Sequence, residues 1–306
     1  MTGTESASDL KSGQIVKALA GYYYVNTGAV IYMCRARGIF KKDGITPLVG
    51  DYVRIAVTDA ADEEGVVEDI EPRRNAFIRP PVANVDIFLV TVAAASPEPN
   101  LETTDKFLVS AEAARADAVI CVNKDDLSPA AARRIAAIYR GVYPAILLSA
   151  ATGEGVAELA ALIRGKSVAF AGASGVGKTS LLSRLTGIAD LAVGDISRKT
   201  ERGKHTTRHV EIFRAEDGTR IYDTPGFTAF EAAGKADIPD GERADQLFPE
   251  FRGYLGGCRF DNCRHDLEPG CAVRDAVDAG KIRPSRYRSY LSLIAAVKKA
   301  RETWSR

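Results

Sequence analysis

The feature that most constrains the fold of this chain is the glycine-rich segment GASGVGKT, which satisfies the pattern GxxxxGK[ST]. It follows the apolar run SVAFA and precedes SLLSRLTG, so it predicts a buried strand, a tight loop and a helix in that order. The N–H groups of such a loop turn inward, and the helix N-terminus beyond it favours negative charge. The segment therefore predicts a nucleoside-phosphate site within an α/β domain.

Two residues of this loop have specific expected roles. Lys178 is expected to reach the β- and γ-phosphates and so to support catalysis, while Thr179 is expected to hold Mg²⁺. The candidate phosphate-binding residues are Gly172, Ala173, Ser174, Gly175, Val176, Gly177, Lys178, Thr179 and Ser180.

Two further motifs predict the base that is bound. The segment NKDD fits NKxD and follows the strand-like run AVICV, and SA ends the run AILLSA. The carboxylate of Asp126 can accept hydrogen bonds from N1–H and the 2-amino group of guanine, donors that adenine lacks at those positions. GTP and GDP are therefore the expected ligands. The candidate base-binding residues are Asn123, Lys124, Asp125, Asp126, Ser149 and Ala150.

The segment DTPG ends another strand-like run, IYDTPGF. Asp223 can hold the metal through water, and the N–H of Gly226 can sense the γ-phosphate. DTPG on its own is also common turn chemistry, and it becomes informative because it follows a phosphate loop.

The order of these motifs is unusual. NKxD and SA come first, the phosphate loop follows and DTPG comes last, although an ordinary GTPase begins with the phosphate loop. All four motifs end strand-like runs, so they can converge on one site if the domain is circularly permuted. A P-loop kinase is the alternative enzyme, and NKDD argues against it because a kinase seldom needs a guanine reader.

The N-terminal region has a different pattern. After about 12 small polar residues, short apolar runs punctuated by Gly, Asp and Asn predict a small all-β barrel or sandwich. The run Tyr22, Tyr23, Tyr24 can be either a stacking platform for bases or part of the barrel core. From about Pro80 onward, apolar runs alternate with helical patterns, which predicts a doubly wound α/β domain.

Three of the five cysteines lie close together in the pattern C-x₄-C-x-H-x₅-C. Three thiolates and one imidazole suit a closed tetrahedral zinc site, and reduced loop cysteines are the alternative. Cys34 and Cys121 lie in strand-like runs and are expected to be buried. The odd cysteine count argues against a secreted disulfide framework. The candidate zinc ligands are Cys258, Cys263, His265 and Cys271.

Charge is unevenly distributed along the 306 residues. The net charge is +1, yet residues 281–306 hold eight Lys and Arg against one Glu. That terminal segment is either an RNA footprint or a solubilising helix face. No run approaches the roughly 18 apolar residues of a membrane span, and the N-terminus lacks the apolar stretch of a signal peptide. These patterns predict a soluble cytoplasmic protein of two or three domains that does not bind membranes.

Taken together, the motif order and the cysteine cluster resemble the RsgA (YjeQ) family of circularly permuted GTPases that depend on the small ribosomal subunit. The resemblance implies an OB-fold barrel at 1–76, with a disordered tail, a circularly permuted α/β P-loop GTPase domain at 77–235, and a zinc-binding helical domain at 236–306. It also implies that GTP is hydrolysed on the 30S subunit during late assembly, with contacts to 16S rRNA. A monomer that binds no DNA is the default expectation for such a protein.

The segment SRKTERGKHTTRHVE resembles the mobile switch of that family. The resemblance makes Thr206 the sensor of the γ-phosphate and Mg²⁺, with Thr207 as the alternative. Phe227 stands where many GTPases have a water-orienting Gln, so His205 becomes the candidate for orienting water, unless it is an uninvolved loop histidine. The basic residues around it predict contacts with rRNA phosphates. A zinc-containing RNA-binding protein with a weakly catalytic GTPase domain is the alternative function.

Overall fold

The computed structural model describes residues 10–77, 81–188, 210–223 and 243–304, with side chains described as far as residue 299. The described strands are β1 (Lys11–Leu19), β2 (Tyr22–Asn26), β3 (Ile31–Ala36), β4 (Tyr52–Asp59), β5 (Glu64–Ile70), β6 (Ala76–Phe77), β7 (Val82–Ala83), β8 (Ile87–Ala93), β9 (Asp117–Asn123), β10 (Ala145–Leu147), β11 (Ser167–Ala171), β12 (Glu211–Arg214) and β13 (Arg220–Asp223).

The described helices are α1 (Gly38–Lys42), α2 (Leu101–Ala113), α3 (Pro129–Tyr139), α4 (Val156–Ile163), α5 (Lys178–Thr186), α6 (Ala272–Asp278) and α7 (Pro284–Trp304), with short 3₁₀ helices at Ala244–Leu247 and Pro249–Phe251. None of these helices combines the length and the apolar character that a membrane-spanning segment needs.

The chain forms two compact units, and the first comprises Met1–Asp86, Gly165–Ala169 and Ala192–Gly226. Its N-terminal part is a five-stranded barrel in the order β1-β2-β3-β5-β4, closed by pairing of β4 with β1. All pairs are antiparallel except β3 with β5. Buried and less buried residues alternate in β3 and in the first halves of β4 and β5, and Ile15, Val25 and Val53 are fully buried. Burial of one face of each strand is what closes the barrel around a single core.

The rest of the first unit extends from this barrel. Strand β12 pairs antiparallel with both β1 and β13, and Lys17 forms an ion pair with Glu211 at 3.1 Å across the first of these pairings. Strand β13 pairs in parallel with the beginning of β11. Since β11 continues into the second unit, the phosphate loop is covalently joined to a strand that begins in the first unit.

The second unit comprises Ile87–Arg164, Phe170–Leu191 and Phe227–Arg306. Strands β8, β9 and β10 are parallel, and all seven residues of β8 are buried, as expected for a strand covered on both faces. Asn100 caps the N-terminus of α2, and its side chain accepts a 3.0 Å hydrogen bond from the N–H of Thr103. The parallel strands and their crossover helices place NKxD and SA at the carboxyl ends of β9 and β10.

The C-terminal region packs on α2 within this same unit. Phe248, Phe251 and Tyr290 form the centre of an apolar cluster that also contains Val109 of α2. The Phe251 and Tyr290 rings meet edge to face with centroids 5.1 Å apart. The cluster also includes Cys263, Cys271 and Leu293, so it joins the cysteine-bearing loop and α7 to α2.

The predicted fold class is confirmed: a barrel, a circularly permuted P-loop domain and a C-terminal region with the cysteine cluster are all present. Three details differ from the sequence prediction. Strand β1 begins at Lys11, inside the expected tail, a short helix α1 interrupts the barrel strands, and α4 follows the SA loop. The boundaries at 76 and 235 stay a prediction, and residue 235 lies outside the described residues.

Candidate guanine-nucleotide site and metal cluster

The phosphate loop lies between β11 and α5, as its sequence predicts. Lys178 is the first residue of α5, and its Nζ donates to the carbonyls of Gly172 at 2.7 Å and Ala173 at 2.8 Å. The ammonium group therefore lies over the loop's own backbone. Thr179 follows in the first turn of the helix and is half-buried. This arrangement gives the strand, loop and helix N-terminus that bind phosphate in P-loop proteins.

Asn123 connects the three motifs of the second unit. Its side chain is buried, its Nδ2 donates to the carbonyl of Val176 at 2.7 Å, and its Oδ1 accepts from the N–H of Ala150 at 2.9 Å. One amide thus joins NKxD to the phosphate loop and to the SA loop. Gly177 has a φ of +98°, and a Cβ there would lie 2.1 Å from the Asn123 Nδ2, so the contact requires glycine.

Lys124 makes a second connection to the phosphate loop. Its Nζ donates to the carbonyl of Gly175 at 2.8 Å and also to the carbonyl of Ser96. Ser96 was not expected from any motif, because it lies in the loop after β8, far from NKxD along the chain. The side chain of Lys124 therefore lies along the phosphate loop.

The remaining base-site residues differ in exposure. Ser149 is fully buried, and its Oγ accepts from the N–H of Thr152 at 3.1 Å, which closes the SA turn. The N–H of Asp125 donates to the carbonyl of Leu148 at 3.2 Å, while Asp126 is exposed. A buried loop beside an exposed carboxylate suits a base that enters from solvent.

The residues expected at the γ-phosphate are not all described. Asp223 is the last residue of β13 in the first unit and is half-buried. His205, Thr206, Thr207, Gly226 and Phe227 lie outside the described residues. Their expected roles, and those of the other predicted site residues, stay predictions.

The predicted zinc ligands are brought together in the C-terminal region. The three Sγ atoms and one ring nitrogen of Cys258, Cys263, His265 and Cys271 all lie within 4.8 Å of one another. The Nδ1 of His265 is 3.4 Å from the Cys271 Sγ and 3.5 Å from the Cys258 Sγ. A tetrahedral ion with Zn–S and Zn–N bonds of ordinary length separates its ligand atoms by about 3.5–3.8 Å. The donor set therefore fits a single metal ion of this size.

Asp245 supports the cluster from outside. The Nε2 of His265 lies 3.1 Å from the Asp245 Oδ2, and the Arg243 Nη2 lies 2.5 Å from the same oxygen. Burial raises the pKa of Asp245, but the hydrogen bonds from His265 and Arg243 outweigh that effect and keep it below its usual range. The carboxylate accepts from Nε2–H and leaves Nδ1 facing the sulfur atoms, the usual arrangement of a metal-binding histidine. No sequence motif marked Asp245.

The other two cysteines are core residues, as expected. Cys34 and Cys121 are fully buried, and burial raises the pKa of the Cys34 thiol to about 11 and that of Cys121 to about 12. Both thiols therefore stay protonated at neutral pH, which makes them poor ligands and poor nucleophiles.

Arg286 corrects the sequence interpretation of the basic C-terminus. It is one of the eight basic residues of 281–306, but its side chain is buried. Its Nη1 donates to Asp105 of α2 at 2.7 Å, and its Nε donates to Glu250 at 2.6 Å. This arginine joins α7 to α2 and does not belong to an RNA-facing surface.

The fold and the order of the motifs define a P-loop GTPase whose GTPase domain is circularly permuted. Comparisons with known proteins narrow this class. The family model for the RsgA GTPase matches residues 70–233, and the model for the RsgA N-terminal domain matches residues 12–67.

Relatives and solved structures agree with the family models. The "Small ribosomal subunit biogenesis GTPase RsgA" of Alkaliphilus metalliredigens is 42% identical over 294 residues, which are 95% of this chain and 99% of that protein. The protein of the same name from Caldanaerobacter subterraneus is 44% identical over 94% of this chain and 95% of its own length. YjeQ from Thermotoga maritima superimposes with a TM-score of 0.74 at 32% identity, covering 93% of this chain and 97% of its own. The circularly permuted GTPase YloQ gives 0.72 at 32% identity, covering 97% and 98% of the two chains.

The chain belongs to the RsgA family of GTPases.

Proposed function

We propose that this chain is a GTPase of small ribosomal subunit biogenesis, which hydrolyses GTP to GDP and phosphate with stimulation by the subunit. The observation that carries the proposal is the match to relatives of that name over 95% of the chain. The Asn123 contacts support it independently, because they join NKxD to the phosphate loop and to the SA loop, as one nucleotide site requires.

The nucleotide is bound at both ends by residues of this chain. Lys178 holds the phosphates, Thr179 and Thr206 hold Mg²⁺, and Asp223 and Gly226 act at the γ-phosphate. When bound, Mg²⁺ neutralises charge on the β- and γ-phosphates. The exposed carboxylate of Asp126 reads guanine. Asp126→Ala is expected to remove most of the preference for GTP over ATP, measured by competition binding, and equal GTP affinity in both proteins would contradict this assignment.

His205 is the proposed group that orients the attacking water, since Phe227 has no polar atom for that task. No sequence motif assigns an arginine finger, so intrinsic turnover is expected to be slow. Thr206 orders the switch around the γ-phosphate, and hydrolysis releases it.

The deciding experiment measures GTP hydrolysis with and without purified 30S subunits. We expect a large stimulation in the wild-type protein and its loss in His205→Ala, which keeps its affinity for GTP. His209→Ala serves as the matched control, because it changes a histidine of the same segment that has no assigned role. Hydrolysis that stays flat on adding subunits would favour the alternative, an RNA-binding protein with a weakly catalytic GTPase domain.

The identity of the metal, the RNA partner, the cellular location and the oligomeric state are further parts of this proposal. Zinc is the metal we propose for the Cys₃His cluster, because three thiolates and an imidazole favour it over harder divalent ions. The protein binds the 16S rRNA of the 30S subunit and binds neither DNA nor membranes. The protein acts in the cytoplasm as a monomer.

A further inference from the structure

Arg184 makes contacts that no motif predicts. It lies on α5, the helix that begins with the phosphate-loop lysine, in the stretch SLLSRLTG. Its Nε donates to the carbonyl of Ala150 at 2.9 Å, and its Nη2 donates to the carbonyl of Ala151 at 2.6 Å. One guanidinium group therefore binds two successive carbonyls of the SA loop. Charge-assisted hydrogen bonds of this kind are among the stronger ones in proteins.

These contacts fix the orientation of the loop as well as its position. In a trans peptide the C=O and the next N–H point in opposite directions. Holding the carbonyl of Ala150 on Arg184 therefore directs the N–H of Ala151 away from that side chain. On the other side, the N–H of Ala150 is already held by the Oδ1 of Asn123. The peptide planes of the loop are thus fixed from two sides.

The direction of the Ala151 N–H matters for the choice of base, because the Ala150 N–H already donates to Asn123. Guanine has a carbonyl oxygen at position 6, which accepts hydrogen bonds, whereas adenine has an amino group there, which donates. A loop that presents the N–H of Ala151 at this position favours guanine and disfavours adenine. A loop free to rotate its peptide planes would lose part of that discrimination.

We propose that Arg184 is a positioning residue for guanine recognition, holding the SA loop in the orientation that selects guanine. The inference rests on the proposed function, because it needs a guanine nucleotide in this site. Arg184 acts through Ala150 and Ala151 and need not touch the nucleotide. Because α5 begins at Lys178, Arg184 also fixes the distance between the base loop and the phosphate-binding end of the site.

The test measures the affinities for GTP and ATP in full-length wild type, Arg184→Ala and Arg184→Lys. We expect Arg184→Ala to lose about tenfold in GTP affinity while ATP affinity changes less than about twofold, so that selectivity falls. Arg184→Lys keeps the charge and one donor direction, and an intermediate value is expected. Arg133→Ala, an exposed arginine on α3, is the matched control and should bind both nucleotides as wild type does.

Each other outcome overturns the inference in a distinct way. Equal losses for GTP and ATP would mean that Arg184 merely stabilises α5. Unchanged selectivity in both variants would mean that Asn123 alone orients the loop. A wild-type protein without preference for GTP would refute the proposed function together with this inference, whereas the first two results would leave the proposed function intact. The measured ATP affinity also reports that each variant is folded.

Discussion

At the scale of single residues, Arg286 is a buried charge that depends on its partners. It is 1% exposed and lies between two carboxylates, Asp105 and Glu250, with its guanidinium carbon 4.8 Å from the centroid of the Phe248 ring. A buried charge is tolerated when its hydrogen bonds are satisfied, and here both carboxylates depend on the same cation.

Replacing Arg286 with Ala is expected to destabilise the protein by about 3–5 kcal/mol, because it leaves two buried carboxylates without their cation. Arg286→Met, which keeps most of the volume, leaves the same two charges and should recover little of the loss. Arg288→Ala, on the exposed face of α7, is the control and should fall within about 0.5 kcal/mol of wild type. Urea unfolding at pH 7 measures all three, and similar midpoints for Arg286→Ala and Arg288→Ala would contradict the assignment.

The same residue shows where prediction from sequence ends. The nucleotide motifs could be located because each carries its chemistry within a few consecutive residues, as in GASGVGKT and NKDD. The environment of Arg286 could not, because its partner Asp105 is 181 positions away and Glu250 is 36 positions away. The roles of Asp245 and Arg184 could not be predicted for the same reason, since they depend on contacts that folding creates.

At the scale of elements, the connection between α1 and β4 is closely packed against two other strands of the first unit. Gly50 has a φ of +100°, and a Cβ there would lie 2.1 Å from the carbonyl oxygen of Ala83 and 2.4 Å from the hydroxyl of Tyr222. The Tyr222 hydroxyl itself donates to the Ala83 carbonyl at 2.9 Å. The barrel, β7 and β13 therefore meet at a position where a side chain has no space.

Gly50→Ala is expected to cost about 3–5 kcal/mol, the sum of backbone strain and a collision with main-chain atoms. Gly44→Ala is the matched control: its φ is +69°, but a Cβ there has nothing within 4 Å. We expect that change to cost about 1 kcal/mol from strain alone. Melting temperatures of the two variants provide the comparison, and equal shifts would show that the collision is relieved by movement of β7 or β13.

The second element is the loop that carries the cysteines, which is held by two hydrogen bonds from α7. The hydroxyls of Tyr287 and Tyr290 on α7 donate to the carbonyls of His265 and Arg264, each at 2.7 Å.

We expect one zinc ion per chain by elemental analysis, and less than about a tenth of that in Cys258→Ala, since closed structural sites need all four ligands. Cys34→Ala removes a buried cysteine outside the cluster and should retain the full zinc content. Zinc retained in Cys258→Ala would assign the metal elsewhere.

At the scale of the whole molecule, the balanced composition conceals a polarised charge distribution. The chain holds 41 Lys and Arg against 40 Asp and Glu, yet its last 26 residues are strongly basic. Arg286 is buried and does not contribute to the exposed positive charge of this segment. Five other basic side chains of the segment are exposed: Lys281, Arg283, Arg288, Lys298 and Lys299. Exposed cations of this kind suit contact with the phosphate backbone of RNA.

The affinity for 30S subunits is therefore expected to fall steeply as the salt concentration rises. Reversing two of these charges, in Arg288→Glu with Lys298→Glu, should weaken binding and reduce the slope of log K against log salt by about 1–2. Arg214→Glu on β12 changes an exposed arginine outside α7 and should leave the slope unaltered. Co-sedimentation at several salt concentrations measures the slope, and an identical slope in the double variant would remove α7 from the interface.

The four cluster residues differ in one further respect: Cys258 is half-buried, whereas Cys263, His265 and Cys271 are almost fully enclosed. A metal ion held by these four residues would therefore be reached first at the Cys258 thiolate by a chelator or an incoming ion. The three enclosed ligands would still hold the ion at that point.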